Sequence, residues 1–231
     1  MSLSDNLRAF WKLADTSDSG PNGFTLTNNN TVTFVAGKIG DAARFAAASS
    51  QYLSRADHAS LSFGNVDFSI SVWVKLASTG ITRPIVNKAS AEWRLGITSA
   101  NKIIFQFPGG GALTHSLALS ASTWYHVVAW YDAAADLMWI AINDGTPESA
   151  SDSVGPVDST NDLRVGRLGT AYWDGDLDAL GIWGRVLTAG ERTQLYNSGN
   201  GLEYPFTVGS FLIHPGMAGL TKPRMLGGMH G

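Results

Sequence analysis

Residues 173–183 read Trp173-Asp174-Gly175-Asp176-Leu177-Asp178-Ala179-Leu180-Gly181-Ile182-Trp183, followed by Gly184-Arg185-Val186-Leu187-Thr188-Ala189-Gly190-Glu191. Side chains of a strand point to alternate faces. Asp174, Asp176 and Asp178 therefore fall on one face, and Leu177, Ala179 and Gly181 on the other. Beyond Asp178 the polar face turns apolar at Leu180 and Ile182, as in a strand that runs from a wet rim into a core. Thr188 and Glu191 have the spacing of a capping box, in which the hydroxyl takes an orphan backbone N–H and the carboxylate reaches back. This predicts a short helix to about Asn197, with Gly199 beyond it as a left-handed stop.

Outward from that stretch, short alternating segments recur at 7–13, 31–35, 43–45, 51–54, 68–76, 83–88, 93–97, 102–107, 116–119, 124–131, 137–142 and 163–166. Turn signals separate them. Asn143-Asp144-Gly145 reads as a hairpin turn, because Asn and Gly tolerate positive φ. Helical periodicity appears only after Thr188. Many short strands at such intervals mean two packed sheets. The expected fold is all-β, a two-sheet antiparallel β-sandwich (jelly roll) with one short C-terminal helix and an extended tail. The expected division is a sandwich over residues 1–206 and a Gly/Met-rich tail over 207–231.

Composition limits the function. In 231 residues, charged side chains make up 15%, against about 25% in typical domains. The net charge of -3 argues against a general nucleic-acid binder, which carries a basic face. There are no cysteines, so disulfides, zinc thiolates and cysteine nucleophiles are excluded. The first residues show neither a basic start nor an apolar run, so no signal peptide is expected. No apolar stretch is long enough for a membrane helix.

The stretch from Trp173 to Glu191 resembles the C-terminal signature of laminin G-like, concanavalin A-like jelly-roll domains: an aromatic at Trp173, Gly175, Asp178, and a closing Leu187-Thr188-x-x-Glu191. Phe68-Ser69-Ile70-Ser71-Val72-Trp73-Val74-Lys75 and Trp124-Tyr125-His126-Val127-Val128 are similar to two further strands of that family. The loop Asp15–Gly23, through Asp18, Asn22 and Gly23, and the turn Gly37-Lys38-Ile39-Gly40-Asp41-Ala42 are similar to two of its loops. The resemblance implies that the early aspartate loop and the aspartate of the last strand lie together and hold a structural calcium. Carried over, the ligands are Asp18, Asn22 and Asp178.

Other chemistry is sparse. Fold relatives that cleave glucans need paired carboxylates flanking one bond, and Glu92, Glu148, Glu191 and Glu203 have no such partners in sequence. His58, His115, His126, His214 and His230 show no metal-ligand spacing, and His126 reads as structural. Gly109-Gly110-Gly111 precedes no helix and is a loop, not a phosphate cradle. No catalytic residue is expected. Sugar recognition, which the resemblance implies, needs exposed aromatics beside hydrogen-bonding groups. Most tryptophans alternate within strands and read as core, so Tyr172 and His115 are the expected ligand residues. The expected role is a non-catalytic recognition or structural module displayed on a bacteriophage virion or another extracellular surface. Its partners would be neighbouring copies or a virion shell, reached through the tail, and cell-surface glycans, with no nucleic acid and no membrane. The alternative is a secreted bacterial carbohydrate-binding domain.

Overall fold

A computed structural model describes residues 1–88 and 92–206. In chain order the strands are β1 (Leu7–Trp11), β2 (Thr27–Asn29), β3 (Thr33–Ala36), β4 (Asp41–Phe45), β5 (Tyr52–Arg55), β6 (Phe68–Leu76), β7 (Arg83–Asn87), β8 (Arg94–Ile97) and β9 (Lys102–Gln106). After these come β10 (Ala112–Ala118), β11 (Trp124–Asp132), β12 (Leu137–Ile142), β13 (Glu148–Ser151), β14 (Leu163–Val165), β15 (Arg167–Leu168), β16 (Ala171–Tyr172), β17 (Gly175–Trp183) and the helix α1 (Ala189–Tyr196). Sheet I runs β13-β12-β11-β6-β17-β4-β3, with β1 also paired to β17; sheet II runs β10-β9-β8-β7-β14-β5-β2; β15 and β16 form a separate hairpin. The two antiparallel sheets form the expected sandwich. Residues 207–231, the expected tail, lie outside the described residues.

The core between the sheets is built from alternate strand positions, among them Phe68, Val72, Leu95, Phe105, Ile140 and Leu177. A second apolar cluster covers the outside of sheet I, where Phe10, Trp73, Trp130, Trp183 and Leu187 pack with Leu195 of α1. Burying an aliphatic or aromatic side chain contributes roughly 1.5–3 kcal/mol, so these two layers hold the sandwich and its helix together.

Strand β17 joins the layers and is buried along its whole length. Its first half pairs with β4 and its second half with β1, while β6 flanks it on the other side. The simple alternation expected of residues 173–183 does not hold. The register with β6 shifts between Asp178 and Gly181, and Ala179 takes a left-handed φ of 49°. One extra residue in a strand turns all later side chains to the other face. Leu177, Leu180 and Ile182 thereby share the inter-sheet core, while Ala179 and Trp183 join the outer cluster.

The capping box forms as expected: Thr188 accepts from the Glu191 amide and the Glu191 carboxylate accepts from the Thr188 amide. The helix ends at Tyr196, close to the expected Asn197, but the left-handed stop is Asn197 itself at φ 48°, not Gly199. Strands β2 and β13 and the β15–β16 hairpin were not expected. Thr27-Asn28-Asn29 and Glu148-Ser149-Ala150-Ser151 are polar edge segments, and an edge buries too little to show alternation.

Arg185 fastens the N-terminus to this cap. Its guanidinium donates to Glu191 Oε1 and Oε2 at 2.7 and 2.8 Å, and to the carbonyls of Ser2 and Asp5 at 2.8 Å each. Burial alone would raise the Glu191 carboxyl; hydrogen bonds from Arg185 and Thr188 outweigh it and hold the group down at about 2. A depressed carboxyl stabilises the fold above its unfolded pKa and loses that contribution as pH falls through the folded value. Arg185→Leu leaves Glu191 buried and unpaired and is expected to cost about 3–5 kcal/mol at pH 7. In urea titrations the gap between variant and wild type should shrink as pH falls from about 4.5 toward 2; a gap independent of pH would contradict this assignment.

Candidate functional site

The residues expected to hold calcium do other work. Asp18 Oδ1 accepts from the amides of Phe10 (2.9 Å) and Gly20 (2.7 Å), and Oδ2 from that of Phe24 (2.8 Å). The Asn22 side-chain amide donates to the Arg8 carbonyl at 2.7 Å. With Ser19 N–H on the Phe10 carbonyl at 2.9 Å, this loop pairs with the free edge of β1 much as another strand would. Asp178 sits across β1, in β17, where Oδ2 accepts from the amides of Lys38 and Ile39 at 2.7 and 2.8 Å. Gly37 is required there, since a Cβ would lie 2.6 Å from that oxygen.

Each signature aspartate thus accepts from backbone N–H groups: Asp18 from its own loop and from β1, Asp178 from the distant Gly37–Ile39 turn. The other oxygen, Asp178 Oδ1, is buried without a partner. With the exposed Asn22 amide oxygen that makes two free side-chain oxygens, far short of the six to eight that calcium takes, and among the described residues no three His, Cys, Asp or Glu come together to hold a metal. The set Asp18, Asn22 and Asp178 does not fit calcium. Burial, with the charge of Glu203 adding to it, pushes the Asp178 carboxyl up to about 7.

Several other acids are engaged as well. Asp176 pairs with Arg44 at 2.8 Å and Lys75 at 2.6 Å, and Asp174 accepts from the Ala47 amide at 3.2 Å and lies 3.4 Å from Arg83. Buried Glu92 lies 3.4 Å from Lys88, whose ammonium also contacts Asp57, Ser62 and the Ser159 carbonyl. His126 is packed beneath Trp73 and Tyr196 and hydrogen-bonds Ser71 at 2.8 Å. Burial presses its pKa down to about 3, so it is neutral and structural, as its place in the strand predicts.

The accessible chemistry lies on the outer face of sheet II. Cross-strand partners point the same way, and the register aligns Ala112, Gln106, Arg94, Asn87, Arg164, Ser54 and Thr27 in one row across the sheet. Their strand neighbours Phe105, Leu95, Val86, Val165 and Leu53 face the core, so the row faces outward. Beside it runs an apolar row, Ile104, Gly96 and Pro84. Between rows and hairpin is a cleft of about 140 Å³ lined by Pro84, Arg94, Gly96, Ile104, Gln106 and Leu168. Among the described residues Arg94 Nε is buried without a partner, as are the Nε atoms of Arg8, Arg55 and Arg83.

The β15–β16 hairpin lies over this face. Asn87 donates to the Arg167 carbonyl at 2.8 Å, and Arg83 to the Tyr172 carbonyl at 3.4 Å. The Arg167 guanidinium packs over Tyr52 (4.6 Å to the ring centre) and Tyr172 (5.8 Å), whose rings are 6.3 Å apart. Tyr172, expected from sequence as a ligand residue, packs its half-buried ring with Tyr52 and Arg167 and does not line the cleft, to which its neighbour Ala171 contributes. His115 does not join it. It faces inward on β10 at 7% exposure, with Nδ1 accepting from the Leu117 amide at 3.1 Å and Nε2 lying 3.6 Å from Glu148. It ties an edge of sheet II to β13. Arg94, Arg164 and Gln106 escaped the sequence reading, because only the strand order brings them into one row, and so did Tyr52, two residues before Ser54 on β5.

The family model described as the concanavalin A-like lectin/glucanases superfamily matches residues 46–191. The chain belongs to this superfamily. Among solved structures, the binding domain of Paraclostridial Mosquitocidal Protein 1 is similar with a TM-score of 0.74 and 19% identity, over 86% of this chain and 53% of that one. Domain 4 of an extracellular arabinanase from Geobacillus stearothermophilus, in complex with arabinotriose, is similar with a TM-score of 0.63 and 20% identity, over 81% and 97%. The binding domain of Botulinum neurotoxin DC, in complex with rat synaptotagmin II, gives 0.67 and 14%, over 85% and 52%. This concanavalin A-like chain therefore spans about half the length of the toxin binding domains and nearly all of the arabinanase domain. At such identities the likeness is one of fold. No curated protein matches the chain.

Two outcomes are expected of this superfamily member. A chelator should leave the melting temperature unchanged; a fall reversed by calcium would show a cation site that these side chains do not make. Asp178, with its folded pKa raised, stabilises the fold below about pH 4, and the contribution is lost as pH rises through about 7. The shift corresponds to on the order of 4 kcal/mol. Asp178→Asn keeps an acceptor for Lys38 and Ile39 and should flatten the decline in stability between pH 4 and pH 8; an unaltered decline would assign it to another group.

Proposed function

We propose that the chain is a non-catalytic recognition module that binds glycan chains along the outer face of sheet II. The observation that carries this reading is the outer face of sheet II on the two sides of the β15–β16 hairpin: Gln106 and Arg94 beside the Ile104–Pro84 cleft, and Arg164 and Ser54 with the Tyr52–Arg167–Tyr172 stack. A sugar presents hydroxyls at its edge and C–H groups on its face. A line of amide, guanidinium and hydroxyl groups beside an apolar strip and an aromatic ring meets both surfaces. Membership of the lectin/glucanase superfamily supports the reading, as does the arabinotriose held by the similar arabinanase domain. Absence of catalysis is supported by the engagement of Asp174, Asp176 and Asp178 in turn and ion-pair contacts, and by the lack of any carboxylate within the outward row.

The module's setting is a second, finer part of the proposal. Display on a bacteriophage virion, through contacts of residues 207–231 with neighbouring copies or the shell, rests on the Gly- and Met-rich composition of those residues. The competing setting is a secreted bacterial carbohydrate-binding domain, which the arabinanase likeness favours.

On a glycan array the protein should bind at least one polysaccharide class. Tyr52→Ala and Tyr172→Ala should each weaken that binding about 5- to 30-fold, the equivalent of about 1–2 kcal/mol for a lost stacking partner. Binding unaffected by both changes would move the site off this face. Deleting 207–231 should leave a soluble, cooperatively melting monomer that still binds glycan and no longer assembles; assembly that persists would remove the tail's role and with it the virion setting.

A further inference from the structure

We infer that the cleft between β7, β8, β9 and the β15–β16 hairpin takes one sugar unit bearing a methyl group, the end or a branch of a glycan, with the methyl of a 6-deoxy or N-acetyl sugar on its apolar floor. This rests on the glycan-binding reading of sheet II and names the unit that one side of that face selects.

Size and shape set the first limit. The cleft holds about 140 Å³, close to the roughly 150 Å³ of an apolar cavity that takes one benzene ring. It has room for one ring and not for a run of sugars. The hairpin bounds it through Leu168 and its cross-strand partner Ala171. That wall is braced from the sheet. Asn87 donates to the Arg167 carbonyl and Arg83 to the Tyr172 carbonyl, and Arg83 also donates to the Ser78 hydroxyl at 3.2 Å. A glycan entering from the β9 side therefore ends, or turns away, at the hairpin.

The lining sets the second limit. The outward row Ile104, Gly96 and Pro84 forms the floor, and together with Leu168 and Ala171 it offers no side-chain donor or acceptor. Gly96 leaves the middle of that floor bare, and a side chain is excluded there, since a Cβ would lie 2.8 Å from the Arg83 carbonyl oxygen. A sugar hydroxyl pressed onto this floor would lose its water with nothing in exchange. A methyl group gains by leaving water. Polar side chains reach the same cleft at Gln106, which is partly exposed, and at Thr82, which is exposed. Among the described residues the Gln106 amide makes no hydrogen bond, so it is free to meet ring hydroxyls or an acetamido group. An apolar floor with a few polar groups beside it orients a small ligand.

The test measures binding of the full chain to immobilised glycans whose end sugars form matched pairs: L-fucose against L-galactose, L-rhamnose against L-mannose, and N-acetylglucosamine against glucose. In at least one pair the methyl-bearing member should bind more tightly by roughly 10- to 200-fold, the range for one added apolar group in a hydrophobic pocket. The pair that shows the preference distinguishes a 6-deoxy from an N-acetyl ligand. Ala171→Leu, which fills the cleft from the hairpin, should lower that affinity by about tenfold or more with an unchanged melting temperature. Ile104→Thr, which puts a hydroxyl on the floor, should shrink the preference within the pair. Arg192→Gln, on the opposite sheet, should alter neither. Equal binding within every pair, or a preference that survives Ala171→Leu in a protein melting as wild type, would overturn the pocket and leave the glycan reading standing. Should Ala171→Leu lower the melting temperature, Ile104→Thr decides alone, and a preference it leaves unchanged overturns the pocket. No binding to any glycan would overturn both readings.

Discussion

The sandwich depends on how β17 is threaded through it. The strand is buried along its whole length and shares hydrogen bonds with β6 on one side and with β4 and then β1 on the other. Such a strand must supply apolar side chains to both of its faces, and uninterrupted alternation would put Leu177 and Leu180 on opposite sides. The left-handed residue Ala179 resolves this, and its amide is satisfied by the Lys12 carbonyl at 3.2 Å. Asp178, beside that kink, closes the Gly37–Ile39 turn through Oδ2. The beginning, middle and end of the chain therefore meet at one place, and the carboxylate there serves backbone donors instead of a metal.

The two sheets have been put to different uses. Sheet I is covered on its outside by α1 and by aromatic residues as far as Phe206, so both of its faces are packed. Sheet II is packed on its inside only; its outer face keeps Gln106, Arg94 and Arg164 partly exposed, with the β15–β16 hairpin forming a wall above β7. A sheet with one packed face and one wet face presents side chains at fixed strand spacings. That rigidity limits the entropy lost on binding an extended chain. Sheet I and its helix thus give stability, and sheet II carries the proposed recognition face.

Much of this architecture was legible in sequence. Phe68–Leu76 and Leu137–Ile142 were bounded to the residue because their apolar and β-branched runs end at clear turns. The Thr188–Glu191 cap was legible because its chemistry is local. The kink at Ala179 was not, since an alanine carries no mark of a left-handed φ and the need for it arises only from the neighbours of β17. Polar edges such as Thr27–Asn29 left no alternation to read. The site was legible only at Tyr172, an aromatic beside a turn. Arg94, Asn87, Arg164 and Ser54 come from separate strands, and only the antiparallel register makes neighbours of them. Asp18 and Asp178 showed the converse limit: motif spacing located both carboxylates but not the hydrogen bonds they accept.

The central claim is that recognition occurs on the outer face of sheet II, and NMR of arginine side chains tests it most directly. Titration with an oligosaccharide of a class the protein binds on a glycan array should shift the guanidinium signals of Arg94 and Arg164 and the ring signals of Tyr52 and Tyr172. The signals of Arg44, Arg185 and Arg192, held against sheet I and its helix, should stay in place. Shifts confined to those three, with Arg94 and Arg164 unmoved at saturation, would contradict the account.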